Sequence, residues 1–511
     1  MGAPLLGLCQ AVGGETFGEL EGVLVREIQV DSRRIRPGDL FAALPGTRTV
    51  GSAYVDEALA RGAQSLLLPA GTPPPPGVPG LWSPAPRRTL SELAAELYGH
   101  PSHRVAVTGV TGSNGKTTVA TMLRQILTST GKPAGLWSTS AVDSGARRFR
   151  PALTTPEAPD LHRFLAEVAG SGMGWACIEV SSHAVVQERV SDVRFAGGAI
   201  TSVTADHLDF HGSFAAYLAA KRAFVQSLPE GALLAYNLDD PGAAAASRGA
   251  RARMISCGFS PEADMAAVDA HIAPDGSACT VRLAPRLAAL GGALGSAPST
   301  MRLTVPLPGR HNLTNAMLAA ALALAAGSPP AGVQAALAAF RPPARRLRAT
   351  WIGPHLLLDD VAMNQASFEA VLSTVAQFGL PRLVVVVAPR GNRGAVVNRE
   401  AALALARWIP DLGWAPVVVT LSEQAVARYP LDYRVRPEEA EAFLEGLSAG
   451  NVPYRLHREL DSAIADAVGL LGPEGALLLL GTFGMDEGLA LAERLLGAEG
   501  SGPTYSTPSF A

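Results

Sequence analysis

The stretch RVAVTGVTGSNGKTTVATMLRQILTSTG, residues 104–131, decides the fold. RVAVTGV reads as a buried strand, the middle is glycine-rich, and VATMLRQILTSTG carries apolar residues at helical spacing until Gly131 stops it. A strand, a glycine turn and a helix in that order bring backbone N–H groups and the positive end of the helix dipole around one anion-sized space. The segment from Gly109 to Thr118 is therefore expected to bind ATP. Gly112, Asn114, Gly115, Lys116, Thr117 and Thr118 would surround the phosphates, with Lys116 on the β- and γ-phosphates and the Thr117 hydroxyl on Mg²⁺. The usual spacing GxxxxGKT is met except at its first position, where Val110 stands and Gly109 lies one residue early.

Downstream, apolar strand-like runs (WACIEVSS, AGGAITSV, GALLAYN) alternate with helical patterns (DLHRFLAEVAG, SFAAYLAAKRAFVQSL), the signature of a parallel α/β sheet. After the segment PPARRLR a second α/β series begins, with strand candidates HLLLD, RLVVVVAP, APVVVTL and GALLLLGTF. Upstream, short apolar runs and the cluster Pro73 to Pro76, a surface loop, form a smaller unit. The expected fold is α/β in three domains: an N-terminal α/β domain over 1–98, a central P-loop parallel-sheet ATPase domain over 99–340, and a C-terminal Rossmann-like α/β domain over 341–498. The Gly-, Ser-, Thr- and Pro-rich residues 499–511 read as a frayed tail.

A chain of 511 residues exceeds one hydrophobic core, and 48% hydrophobic with 17% charged residues suits folded domains. A net charge of -3 offers no basic surface for nucleic acid. Cys9, Cys177, Cys257 and Cys279 are scattered without metal-ligand spacing and read as reduced thiols. The N-terminus has no charged n-region for export, and the apolar run from Met317 is shorter than the ~20 residues of a membrane span. A cytoplasmic protein without membrane or nucleic-acid partners is expected.

Four further clusters lie in the central segment: TTP at Thr154 to Pro156, EVSSHAVVQERV from Glu179, DHLDFHG from Asp206, and YLAAK ending at Lys221. Ligands of open α/β sheets bind beyond the carboxyl ends of the strands, so Glu179, Ser181 and His183 are placed to face the crevice of the phosphate loop. Glu179 and His207 have the chemistry to hold a divalent cation. Singly, each has a bland explanation: a strand-end salt bridge, a satisfied loop histidine, a solvated helix lysine.

Taken in order, GSNGKTT, TTP, EVSSHA with Gln187 and Arg189, DHLDFHG and AYLAAK resemble the Mur ligase family, most closely its MurE-type branch. VDSRRIRPGDLFAALPG is similar to that branch's uridine-nucleotide domain, and LPGRHNLTNAMLAAA to the segment where an asparagine, here Asn315, meets adenine. The resemblance implies that Ser32 contacts the uridine nucleotide and that Thr154, Thr155, Ser181, Gln187 and Arg189 contact the muramoyl-peptide. It implies metal ligation by Thr117, Glu179, His207 and Lys221, the lysine as a carbamate. Lys116, His207 and Lys221 are then the catalytic set. The implied reaction is phosphoryl transfer from ATP, with Mg²⁺, to the carboxylate of UDP-N-acetylmuramoyl-dipeptide, and attack of an amino-acid amine on the acyl phosphate. A monomer is expected.

The third segment departs from the branch. Where its members show GR and an acidic residue, the chain reads ARRLRA, and LLLDDVAMNQAS replaces a DYAHTP-like run, with Asn364 giving a MurF-type character. Arg346 and Asp359 are expected at the nucleotide-contacting positions. No DNPR-type motif follows APVVVT, and GTFGMDEG replaces GKGHE, so lysine or ornithine fits better than diaminopimelate as the added residue. Arg390 and Arg393 are candidates for its carboxylate, against an equal expectation that they belong to a surface loop. The alternatives are a Mur-like ligase with another amine acceptor, and a paralogue that binds nucleotides without ligating.

Overall fold

The computed structural model describes residues 2–499 apart from 47–49, 291, 296–297, 413, 415 and 430–432. Nearly all of the proposed tail at 499–511 lies outside the described residues. Three separate sheets account for most of the strands. A five-stranded sheet runs Glu15–Phe17, Gly80–Ser83, Ala63–Pro69, Asp39–Ala42, Ile28–Gln29. An eleven-stranded sheet occupies the middle of the chain, and a six-stranded sheet runs Arg346–Ile352, His355–Asp360, Ala476–Leu480, Leu383–Val387, Val417–Thr420, Tyr454–His457.

In the large sheet the strand Ala106–Thr111 sits centrally, parallel to Trp175–Glu179 on one side and Phe195–Ile200 on the other. Strands buried on both faces read as continuous apolar runs, which is why these segments were legible. The helix Lys116–Ser129 follows the phosphate loop and packs on the helix Arg310–Ala325. That second helix buries residues around its whole circumference, from Asn312 to Leu324. The apolar run at Met317 is thus a core helix, and no helix among the described residues is long and apolar enough to cross a membrane.

Two features extend beyond the alternating pattern. Met265–Ala273, Gly276–Leu283 and Thr300–Val305 form an antiparallel continuation of the large sheet. The six-stranded sheet opens with Arg346–Ile352, antiparallel to His355–Asp360. A bulge between Arg346 and Arg348 turns the fully buried Leu347 inward at φ 49°, so that Arg346 and Arg348 face Asp360 and Asp359 in the partner strand.

Gly109 belongs to the central strand and not to the loop after it. A Cβ there would stand 2.6 Å from Cζ of Phe224 and 2.8 Å from Cε1 of Phe195, two rings packed edge to face. Its glycine serves the core, which explains why it sits one residue off the phosphate-loop spacing. Gly109→Ala should cost about 1–3 kcal/mol through overpacking; chemical denaturation measures it, and an unchanged midpoint would contradict this packing.

Candidate active site

The phosphate loop is built from both ends. Gly112, at φ 145°, has no room for a side chain, since a Cβ would fall 1.8 Å from Oγ1 of Thr201. Gly115, in the left-handed region at φ 87°, would meet Oδ1 of Asn315 at 2.6 Å. The segment after Phe195–Ile200 pins the loop: Ser202 Oγ accepts from Asn114 N at 3.2 Å, Thr201 Oγ1 donates to Asn114 O, and Ser113 Oγ donates to Thr204 O at 3.0 Å and meets the Tyr217 hydroxyl at 2.8 Å. Asn315 therefore packs directly on the loop.

Lys116 opens the helix and curls back, donating to the carbonyls of Gly112 (2.8 Å) and Ser113 (2.9 Å). Lys221, fully buried on the helix Phe214–Ser227, donates to the same Gly112 oxygen at 2.9 Å and lies 4.6 Å from the Tyr217 ring centre. Burial and the neighbouring Lys116 hold the Lys221 amine well below its ordinary pKa, with Asp206 acting the other way. Burial lowers Lys116 too, opposed by Glu179 and Asp206. The two amines spend three of their six N–H donors on the carbonyls of Gly112 and Ser113 and leave the other three for an anion.

Glu179 ends its strand, buried, with one oxygen 2.7 Å from Thr139 N and the other 3.2 Å from Thr139 Oγ1. Thr139 Oγ1 also reaches Thr154 Oγ1 at 3.1 Å. Thr155 Oγ1 donates to the Glu179 carbonyl at 2.7 Å and accepts from Ser181 N at 2.9 Å. Arg189 ties this group together through Thr155 O (2.9 Å), Glu157 (2.8 Å) and Gln187 Oε1 (2.5 Å). Thr154, Thr155, Glu179, Ser181, Gln187 and Arg189 are one connected patch. Ser32 stands apart, on the short 3-10 turn Ser32–Arg34 between two strands of the N-terminal sheet, where its hydroxyl donates to Glu57 Oε2 at 2.8 Å. Arg34 joins that region to the central one by a bidentate pair with Asp160, at 3.0 and 3.1 Å.

The third segment closes over this arrangement. Arg346 Nη2 donates to Thr117 Oγ1 at 3.1 Å. Arg393 Nη1 is 2.5 Å from His207 Nδ1 and 3.9 Å from Asp206 Oδ1. Burial, and then Arg393, lower the His207 pKa and keep its ring neutral. Asn364 Oδ1 accepts from Asn114 Nδ2 of the phosphate loop at 3.0 Å, and Asn364 Nδ2 donates to Asn114 Oδ1 at 3.4 Å and to Asp206 Oδ2 at 3.3 Å. Burial pulls Arg390 down to about 9, followed by Arg393, and its guanidinium makes no hydrogen bond or ion pair among the described residues. Arg390 and Arg393 thus lie at the crevice.

Asp359 has another position. It pairs with Arg345 Nε at 3.0 Å, while Arg345 also donates to the carbonyls of Thr482 (2.8 Å) and Gly481 (2.6 Å). Arg345 holds φ 58°, left-handed, at the place where the GR pattern has glycine. The carboxylate opposite Arg346 is Asp360, raised to about 7 by burial against the pull of Arg346. Sequence reasoning missed Thr139, Asp206, Asp360 and the bridging role of Asn364. Asp206 carried a signal as the first letter of DHLDFHG, and Asp360 and Asn364 as members of LLLDDVAMNQAS.

No ready cluster of three acidic, histidine or cysteine ligands exists among the described residues. The oxygens of Thr117 and Glu179 and the neutral ring of His207 nonetheless suit a divalent cation that keeps waters and phosphate oxygens as its remaining ligands. Guanidinium groups from Arg346 and Arg393 stand on two of these donors.

A phosphate loop that faces the arginines of the third segment across a crevice is an arrangement suited to an ATP-driven ligase. Residues 110–323 match the Mur ligase middle domain, and residues 24–98 the catalytic domain of the Mur ligase family. The chain is 32% identical over 500 residues to the UDP-N-acetylmuramoyl-L-alanyl-D-glutamate--2,6-diaminopimelate ligase of Parasynechococcus marenigrum, with 94% of each chain covered. It is 31% identical over 465 residues to the ligase of the same name from Geobacillus thermodenitrificans, covering 89% of this chain and 88% of that one. Its fold superposes on the crystal structure of MurF from Acinetobacter baumannii with a TM-score of 0.70 at 20% identity, covering 97% and 99%. The chain belongs to the Mur ligase family. It is an ATP-dependent, ADP-forming acid–amino-acid ligase.

Asn364→Asp keeps the cap that Asn364 gives the helix Gln365–Val375, yet sets a second carboxylate against Asp206. Small-angle scattering should show a larger radius of gyration at unchanged melting temperature; an unchanged radius would contradict the bridge.

Proposed function

We propose that this ligase adds the third amino acid to UDP-N-acetylmuramoyl-dipeptide in peptidoglycan synthesis, through an acyl phosphate of the dipeptide. The observation that carries the reading is the meeting of Arg346, Asn364 and Arg393 with Thr117, Asn114 and His207, which sets an acceptor loop over a phosphate loop. Domains over 1–98, 99–340 and 341–498 would divide the work among uridine nucleotide, ATP and amino acid.

Lys116 would exchange its loop carbonyls for the β- and γ-phosphate oxygens, offsetting charge on the phosphoryl group as it moves. Gly112 to Thr118 would cradle the phosphates, Asn315 would face adenine, and Arg346 with Asp360 would flank the nucleotide. Thr154, Thr155, Ser181, Gln187 and Arg189 would hold the muramoyl-peptide with its carboxylate in line, and Ser32 its uridine end. Thr117, Glu179, His207 and a carbamylated Lys221 would hold Mg²⁺, whose chemistry is to neutralise charge on the phosphates. A depressed amine pKa favours the carbamate, because only the neutral amine takes up carbon dioxide. Arg390 would hold the carboxylate of the incoming amino acid, leaving its amine free to attack. Nothing in this scheme requires a protein nucleophile.

The incoming residue is a diamino acid. Absence of DNPR- and GKGHE-type runs supports lysine or ornithine. The two relatives, both named as 2,6-diaminopimelate ligases, support 2,6-diaminopimelate as the second reading. Purified protein with ATP, Mg²⁺, UDP-N-acetylmuramoyl-dipeptide and each of the three amino acids should release phosphate and give a tripeptide product of matching mass with one of them; no release with any would overturn the reading. Lys116→Ala should reduce turnover at least ~1000-fold without loss of fold; near-normal turnover would mean that the phosphate loop is misassigned. Incubation with ¹³C-bicarbonate should give a carbamate resonance that Lys221→Ala lacks, and its absence from the wild type would remove the carbamate from the scheme.

A further inference from the structure

The loop that carries Arg390 and Arg393 is held from behind by one carboxylate. Asn392 and Gly394 take left-handed conformations, φ 62° and 84°, and turn successive N–H groups toward the same point. Glu439, buried, stands there: Oε1 accepts from Arg393 N (2.8 Å) and Gly394 N (2.7 Å), and Oε2 accepts from Asn392 N (3.2 Å). Oε2 also accepts from Arg436 N at 2.9 Å, closing the first turn of the helix Pro437–Ala449. Such concave runs of N–H groups bind anions. Here the protein fills its own nest.

A second buried side chain holds the other arm. Asn398 Oδ1 accepts from Arg390 N at 2.8 Å, and its Nδ2 donates to Arg390 O (2.9 Å) and Gly394 O (3.1 Å). Gly391 fits only because it has no side chain, as a Cβ would lie 2.2 Å from the carbonyl oxygen of Tyr433. The loop needs this anchoring. Arg390 and Arg393 repel each other, and that repulsion contributes to the lowered pKa of Arg390. A loop free to move would let the two guanidinium groups swing apart into solvent.

We propose that Glu439 is a positioning residue for the amino-acid substrate, setting through the backbone of residues 392–394 the aim of Arg390 and Arg393 into the crevice. The proposal rests on the reading that Arg390 takes the amino-acid carboxylate. Glutamine in place of Glu439 is isosteric and can still close a helix turn. All four partners of Glu439 are N–H donors, however, so an amide must turn its own NH₂ group toward a donor. Either orientation of the amide in Glu439→Gln costs the loop at least one of its three N–H bonds, and the orientation that keeps the cap at Arg436 costs it the two from Arg393 and Gly394.

The test is the Michaelis constants for all three substrates in the wild type and in Glu439→Gln, Asn398→Ala, Arg390→Ala and the Glu439→Gln/Arg390→Ala pair, with lysine, ornithine or diaminopimelate as acceptor. Glu439→Gln should raise KM for the amino acid by about tenfold, with KM for ATP and for the UDP-dipeptide within about twofold of wild type. Coupling through Arg390 predicts that the pair is no worse than Arg390→Ala alone. Should Glu439→Gln fail to fold, Asn398→Ala carries the same expectation from the other arm. An unchanged amino-acid KM in a folded Glu439→Gln, or an equal rise in all three constants, would overturn the positioning role while leaving Arg390 in place. A wild-type KM in Arg390→Ala would overturn the reading of Arg390 itself.

Discussion

The carbonyl oxygen of Gly112 receives Lys116 and Lys221 together, and this shared acceptor sets the electrostatics of the crevice. A half-buried amine and a fully buried one at a single neutral oxygen are short of negative charge. Arg346, Arg390 and Arg393 arrive from the third segment and deepen the shortage, against Glu179, Asp206 and Asp360. Every one of Lys116, Lys221, Arg346 and Arg390 has its pKa pulled down, with burial as the leading cause. Such a site favours a polyanion, and triphosphate with a substrate carboxylate supplies one.

The contacts between the segments fall on the same groups. The third segment touches the central one at Thr117, Asn114, Asp206 and His207, all residues beside the phosphate loop or its expected cation site. Guanidinium groups on Thr117 and His207 leave little space for a cation in the same place. A nucleotide and cation bound as proposed would have to rearrange these contacts, which would couple ligand binding to the position of the third segment. The acceptor loop adds its own constraint, since a rigid nest at Glu439 keeps two mutually repelling arginines aimed into the crevice.

Much of this was legible in the chain. The phosphate loop announces itself because strand, glycines and helix are contiguous, and the strands buried on both faces read as unbroken apolar runs. The patch around Thr155, Ser181 and Arg189 came through because its residues cluster in two short segments. Other parts were hidden for physical reasons. Asp359 and Asp360 are adjacent on a strand and point to opposite sides, so only the register tells which one faces Arg346. Gly109 mimics a loop glycine but yields to Phe195 and Phe224. Nothing in the sequence around Glu439 points to the acceptor loop, because its loop partners lie 45 to 47 residues away.

Oxygen tracing tests the central claim most directly. UDP-N-acetylmuramoyl-dipeptide labelled with ¹⁸O in the reacting carboxylate is turned over with ATP and the accepted amino acid, and the released phosphate is weighed by mass spectrometry. An acyl phosphate formed in this crevice transfers one labelled oxygen to each phosphate released. Phosphate free of label would contradict the account, because ATP would then be cleaved without ever joining the substrate carboxylate.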